Sequence, residues 1–338
     1  MNGSNDFPVL GFDIGGTKIA ICLADRHGRI LGSQRIDGGT GEDYPVALRQ
    51  MTETGDALLK QAGVAATDLR AVGISAPGPM DMASGILQKS PNMHWEGAPI
   101  RDDLQKYYQV EACLENDANA GMLAEWFFGV ARGCSDAIYL TMSTGIGGGV
   151  IVNRTLLQGT TGVGAEMGHV VLDINGPLCG CGQRGCFEAF CGGRSISQRM
   201  QELLAEEPDH PIMRMAEVDG DFKKLNYQVL RVAVREGIPL AREMWEEVCL
   251  RTAQALGGFM MIFNPQMIIM GTLAHYSGDM FMTPVRKHLA KFSWPQLHEP
   301  CQLKTPALGH QIGELAAVSP AFYKFYRKGG WEPEPANP

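Results

Sequence analysis

Nowhere in its 338 residues does the chain have an apolar run long enough to cross a bilayer, so no membrane anchor is expected. Nor does it have a basic block. Its 29 Lys and Arg against 37 Asp and Glu leave a net charge of −8, which argues against nucleic acid and anionic membranes as partners. The opening MNGSNDFP lacks the basic and apolar segments of a secretory signal, and a cytoplasmic location is the resulting expectation. A disulfide framework is also missing. The nine cysteines are odd in number, and six of them (22, 113, 134, 191, 249 and 301) are scattered, mostly in apolar surroundings, where they read as small buried hydrophobes. What remains is an ordinary globular composition, 45% apolar, in a chain long enough for two domains with separate cores.

Those domains are organised around DIGGTKIA, Asp13 to Ala20. An apolar lead-in, a Gly-Gly turn and a β-branched segment read as strand, tight turn, strand. Gly15 and Gly16 leave the main chain open to close approach, and Thr17 and Lys18 add a hydroxyl and a cation. Such a turn suits a phosphate chain. Asp13, at the strand end, could serve Mg²⁺ directly or through water. Alone, the stretch is equally a hairpin with a convenient turn.

The device recurs. From Ala137 to Gly159 an apolar strand enters a turn holding Ser143, Thr144, Gly145, Gly147, Gly148 and Gly149, followed by two further strands. Two similar units more than a hundred residues apart suggest two similar domains whose turns hold one nucleotide's phosphates.

Between the turns, 43–63 has helical spacing and 70–75 is a short strand. That strand ends in APGPMD, a Pro/Gly loop containing Gly78; it is either a ligand loop or a strand terminator. SPNMHW offers Asn92 and Trp95, as pocket residues or as structure. A strand from Val110 runs into ENDANA, with helix-like residues after it. Asn116 and Asp117 read as a helix N-cap, as a carboxylate held at a cleft to take a proton from a substrate hydroxyl, or as one of each.

Beyond the second turn, Glu166 and His169 stand three apart in a glycine-rich stretch, and LCGCGQRGCFE supplies Cys179, Cys181 and Cys186. With His169 these make a closed Cys₃His set, the composition of a structural zinc site. It would pin the loop carrying Glu188 against the segment carrying Glu166. The rest reads as helices over 194–207, 230–263, 281–291 and 312–326, with a buried strand and a turn at Gly271. The stretch EEPDHPIMRMAEVDG reads as exposed loop, and the tail GGWEPEPANP as disordered.

In this order DIGGTKIA, ENDANA, STGIGGGV, Glu166-Met-Gly-His169 and CGCGQRGCFE resemble the ROK family of sugar kinases, in its glucokinase branch, from about Val9 to about Tyr326. The resemblance implies an α/β, two-domain actin-like ATPase fold of ribonuclease H type with an interdomain cleft. The domains would be 1–118 plus about 311–330, and 119–310. It implies Asp117 as the base for a sugar hydroxyl, usually the 6-position. Gly78, Asn92, Asn116, Glu166, His169 and Glu188 would bind the sugar, His169 using one ring nitrogen for zinc and the other for substrate. Asp13, Gly15, Gly16, Thr17, Lys18, Ser143, Thr144, Gly145, Gly147, Gly148 and Gly271 would hold ATP, with Mg²⁺ arriving on the nucleotide.

Homodimers or homotetramers are usual in the family. The chain departs from the family pattern at Gly271-Thr272, where two glycines are usual, and at LAAVSPAF, Leu315 to Phe322. Both positions bear on the adenine pocket. Kinases of N-acetylmannosamine or another hexose are the rivals within the family. A sugar-sensing regulator is disfavoured, because only about half a dozen residues precede the first strand, too few for a helix-turn-helix. A structural actin-like ATPase would have no need of the Cys₃His set.

Overall fold

The computed structural model describes residues 7–88 and 94–333. They form two compact units. One comprises Met1–Cys134, Gly149–Gly164 and Pro306–Pro338, and the other Ser135–Gly148 and Ala165–Thr305.

The chain opens with an antiparallel meander, β1 (Val9–Ile14), β2 (Lys18–Ala24) and β3 (Ile30–Asp37). Helix α1 (Tyr44–Gln61) leads to β4 (Ala71–Ala76), parallel to β1. A small hairpin of β5 (Met80–Asp81) and β6 (Ile86–Leu87) precedes α2 (Ile100–Tyr108). Then β7 (Glu111–Asn116) pairs parallel with β4 and runs directly into α3 (Asp117–Phe127). The sheet order is β3-β2-β1-β4-β7. Because β1, β4 and β7 are parallel and in register, Asp13 lies opposite Ser75, and Ala76 opposite Asn116. The carboxyl ends of all three strands therefore open at one edge, where α/β sheets place ligands.

A second sheet follows, from β8 (Ala137–Leu140), β9 (Gly148–Val152) and β10 (Thr155–Leu156). Helices α4 (Phe187–Cys191), α5 (Gly193–Leu204), α6 (Tyr227–Arg235) and α7 (Pro239–Phe263) intervene before β11 (Met267–Met270). Then come α8 (Thr272–Ser277), α9 (Asp279–Leu289), α10 (Pro295–His298), β12 (Gln302–Lys304) and α11 (Ile312–Arg327). The order β10-β9-β8-β11-β12, with β11 parallel to β8 and β12, repeats the connectivity of the first sheet.

Strand alternation explains how the first unit packs. Leu10, Phe12, Ile21, Leu23, Val72 and Ile74 share a core with Met51 and Leu58 of α1 and Leu104 of α2. The intervening residues are small. A Cβ on Gly11 would stand 2.7 Å from Val318, and one on Gly73 would collide with the Ala317 carbonyl. These glycines let α11 lie directly on the sheet. Cys22 on the same face gives its thiol proton to the Glu314 carbonyl, 3.1 Å away.

Three expectations change. The first division of the chain falls after Cys134 rather than after residue 118, because α3 packs against α11 and so belongs to the first unit, as does 149–164. The stretch 206–220 is more than exposed loop: Ile212, Met213, Met215 and Val218 are buried. The tail carries a packed residue: Trp331 is 4% exposed, donates its indole N–H to the Arg26 carbonyl at 3.0 Å and packs on Phe127 and Phe322. Trp331→Ala should therefore lower the unfolding free energy by about 3 kcal/mol, read from denaturant midpoints, since a buried aromatic and its polar tip are lost together.

Candidate functional site

The first unit carries one set of the expected residues. The turn after β1 closes with Gly15 N–H donating to the Lys18 carbonyl at 3.0 Å. The loop 38–40 braces it: Gly38 N–H donates to Thr17 and Thr40 N–H to Gly15. A Cβ on Gly39 would come within 2.5 Å of the Gly15 carbonyl, so glycine is what permits the brace. Thr17 and Lys18 are exposed, while Gly15 and Gly16 are half-buried.

At the neighbouring strand end, the Asn116 side chain caps α3 by accepting from Ala118 N–H at 3.0 Å. Asp117, exposed at the first position of α3, accepts from the same N–H at 2.7 Å. The two readings of this pair are thus compatible: Asn116 is the cap and Asp117 presents a carboxylate where the helix favours negative charge. Gly78 lies beside them, 3.7 Å from the Asn116 amide as measured from a Cβ built on it. The buried Glu115 sits underneath, accepting from Asn116 N–H, the Asn119 amide and the Gln158 amide. Asn92 lies outside the described residues.

Asp13 completes this set. Burial raises its carboxyl from 3.8 to about 6, the neighbouring Ser75 hydroxyl opposing the effect, the charges of Asp117 and Glu314 adding to it and Lys18 opposing it.

The second unit holds the other residues. Its turn leaves β8 with Thr141 N–H donating to Gly147 and Gly147 N–H to the Thr141 hydroxyl at 2.9 Å. Other segments surround it. Glu188 accepts from Ile146 N–H at 2.7 Å, and Gly193 and Arg194, opening α5, donate to the Ser143 and Thr144 carbonyls, each at 2.9 Å. A Cβ on Gly168 would collide with the Ile146 carbonyl, and one on Gly148 would come within 2.6 Å of the Ala165 carbonyl. The short helical turn Met167–His169 is thereby laid against the glycine turn, with Glu166 exposed at its start.

His169 and Cys179, Cys181 and Cys186 do converge, their ligand atoms lying within 4.8 Å of one another. Tetrahedral zinc, with bonds of about 2.3 Å to sulfur and about 2.05 Å to nitrogen, sets sulfur pairs about 3.8 Å apart and sulfur–nitrogen pairs about 3.6 Å apart. The cluster has Cys181 to Cys186 at 3.7 Å and Cys179 to His169 Nδ1 at 3.6 Å. The donor set fits that ion, with Nδ1 turned to the cluster. Burial, and then the neighbouring thiols, push the Cys186 thiol up to about 12, so its anionic form needs a cation.

Gly271 follows β11, with its N–H on the Leu140 carbonyl at 2.7 Å. It is an ordinary-φ glycine whose Cβ would strike the Thr141 carbonyl, so it is needed for close approach, not for conformation. Thr272, the next residue, lines a cavity of about 870 Å³ with Ser143, Thr144, Arg194, Gln198, Asn226 and Tyr227. Beyond the turn residues and Gly271-Thr272, nothing in the sequence marks this cavity. Its other walls are scattered residues on and beside α5, α6 and α8, without a shared motif.

The model of the ROK family matches residues 9–321. The chain belongs to the ROK family. Over 312 residues it is 33% identical to the glucokinase of Thermotoga maritima, covering 92% of this chain and 96% of that one. A xylose repressor of Caldicellulosiruptor bescii is 28% identical over 82% of this chain and 69% of its own. Among solved structures, a ROK hexokinase from Thermus thermophilus superposes with a TM-score of 0.81 at 28% identity, covering 95% of this chain and all of that one. A ROK glucokinase from Streptomyces griseus, in complex with glucose and AMPPNP, gives 0.71 at 29% identity over 92% of this chain and 98% of its own. The fold is accordingly the actin-like ATPase fold of ROK sugar kinases.

The Asp13 carboxyl has a direct consequence. Folded chains hold its proton more tightly than unfolded ones between pH 3.8 and about 6. Its contribution to stability therefore falls as pH rises through that window and stays low above it. Asp13→Asn removes this slope. Denaturation of wild type and variant from pH 4 to 7 should give curves that diverge with rising pH, the variant becoming relatively more stable; a constant difference contradicts the assignment.

Proposed function

We propose that the chain is a ROK sugar kinase that transfers the γ-phosphoryl group of ATP to the 6-hydroxyl of glucose, with Asp117 as general base. The observation that carries this reading is the exposed Asp117 carboxylate at the start of α3. It stands in a chain 33% identical to a glucokinase over nearly the whole length of both.

In this reading Asp117 accepts the proton of the attacking hydroxyl as the phosphoryl group leaves ADP. Asn116, Gly78 and Asn92 bind the neighbouring hydroxyls, while Glu166, His169 and Glu188 bind the other end of the ring. Asp13 with Gly15, Gly16, Thr17 and Lys18, and Ser143, Thr144, Gly145, Gly147 and Gly148, hold the phosphates. Gly271 and the cavity beside Thr272 take the nucleoside. Mg²⁺, bound to the nucleotide, neutralises phosphate charge. His169, Cys179, Cys181 and Cys186 hold one structural zinc, which leaves Nε2 of His169 for the sugar.

An enzyme consuming ATP and free sugar works in the cytoplasm, and no helix among the described residues is long and apolar enough to cross a membrane. A homodimer or homotetramer is the expected assembly. An N-acetylmannosamine or other hexose kinase is the second reading, because the same hydroxyl-binding residues serve either sugar. A regulator is less well supported, because Asp117 and both glycine turns, which phosphoryl transfer would use, are all present.

ADP release with Mg·ATP against glucose, mannose, fructose, glucosamine, N-acetylglucosamine and N-acetylmannosamine should show a clear preference for glucose. Asp117→Asn should bind sugar nearly as wild type yet lose turnover by a hundredfold or more, of the order general-base removal costs; turnover within about tenfold of wild type refutes the base. Metal analysis of unchelated protein should find about one zinc per chain. Zinc added to stripped protein should release protons, more at lower pH, as thiols are deprotonated on binding.

A further inference from the structure

Resting on the kinase reading, we infer that Glu188 is a nucleotide-positioning residue, through which the Cys₃His site sets the shape of the second phosphate turn. Its assigned part is to bind sugar, but its geometry gives it another. Oε2 of Glu188 is committed to Ile146 N–H at 2.7 Å, in the middle of the turn 143–148. Oε1 lies 3.9 Å from Cys179 Sγ, beside the metal-binding cluster. The carboxylate therefore spans the short gap between cluster and turn.

The gap is built for it. A Cβ on Gly145 would overlap Oε2 of Glu188, so glycine at this position is what admits the carboxylate. Cys186 is the residue before α4, and Glu188 is the second residue of that helix, so a metal on Cys186 fixes the start of the element that aims the carboxylate. The far end of α4 acts on the turn as well. Gly192 N–H donates to the Glu188 carbonyl, and Gly193 and Arg194 donate to Ser143 and Thr144. Ser143, Thr144 and Arg194 all line the 870 Å³ cavity. The chain of contacts from metal ligand to turn to cavity wall is thus continuous within one unit.

A charge-assisted bond to a backbone N–H is among the stronger hydrogen bonds, and its loss frees a turn whose amides must be preset for phosphate. Calorimetry of Mg·AMPPNP binding without sugar tests this, on full-length wild type, Glu188→Ala, Glu188→Gln and Glu166→Ala, with zinc content and melting temperature recorded for each. Glu188→Ala should weaken binding about tenfold or more while retaining its zinc. Glu188→Gln, whose amide oxygen still accepts from Ile146 N–H, should stay within about threefold of wild type. Glu166→Ala, a change on the proposed sugar side, should leave nucleotide binding unaltered.

Nucleotide affinity in Glu188→Ala equal to or tighter than wild type overturns the inference while leaving the kinase reading intact, as does equal weakening by Glu188→Gln. If Glu188→Ala loses zinc or fold, Glu188→Leu, of similar volume but without an acceptor, replaces it: binding about tenfold weaker with zinc retained supports the inference, and wild-type affinity overturns it. Wild type that binds no Mg·AMPPNP would overturn both the inference and the kinase reading.

Discussion

Close approach of backbone to backbone is the constraint on which each unit depends, and glycine is what satisfies it. In the first unit α11 reaches the sheet only because β1 and β4 carry Gly11 and Gly73 where it rests, and the turn after β1 is braced only because residue 39 has no Cβ. In the second, Gly148 and Gly168 let the segment bearing Glu166 and His169 lie against the glycine turn, and Gly145 admits Glu188. These contacts leave no space for a side chain, so the functional groups are held by rigid main chain and not by adjustable packing. That rigidity suits phosphoryl transfer, in which placement and charge neutralisation do most of the work.

Much of this was legible because glycines and β-branched residues alternate in short, dense patterns. The two strand–turn–strand units, the start of α3 at Asp117 and the Cys₃His cluster each occupy a few consecutive residues, and local chemistry announces them. What escaped has no local pattern. Met213, Met215 and Val218 anchor a stretch without helical or strand period, and Trp331 is fixed by rings from α3 and α11, more than two hundred residues away in one case. Asn226 and Tyr227 are cavity residues by position alone. Tyr227 donates to the Leu273 carbonyl and meets Ser277, contacts that only the folded chain reveals. The first break between units moved for the same reason: α3 follows β7 without interruption, yet its partner α11 comes from the far end of the chain.

Two buried carboxylates near α3 show how the proposed base is held steady by groups that take no part in the proposed reaction. Glu115 spends its acceptor sites on Asn116 N–H, Asn119 and Gln158, directly beneath Asp117. Glu125, near the other end of the helix, accepts from the N–H groups of Val130, Ala307 and Leu308. Burial raises both carboxyls, and the hydrogen bonds act against that shift. Glu125 ties the far end of α3 to the loop at Val130 and to the segment 307–308, and Glu115 ties its start, through Asn119, to Gln158, so both ends of α3 are fixed to the rest of the unit. Asp117 itself is exposed and takes part in no such burial. In the proposed reaction a base gains and loses its proton in every turnover, and a solvent-facing carboxylate on a helix anchored at both ends suits that part. The division also explains why three acidic residues within eleven positions, all on or beside one helix, can have different chemistry: position relative to water, not residue type, separates the two that brace from the one proposed as the base.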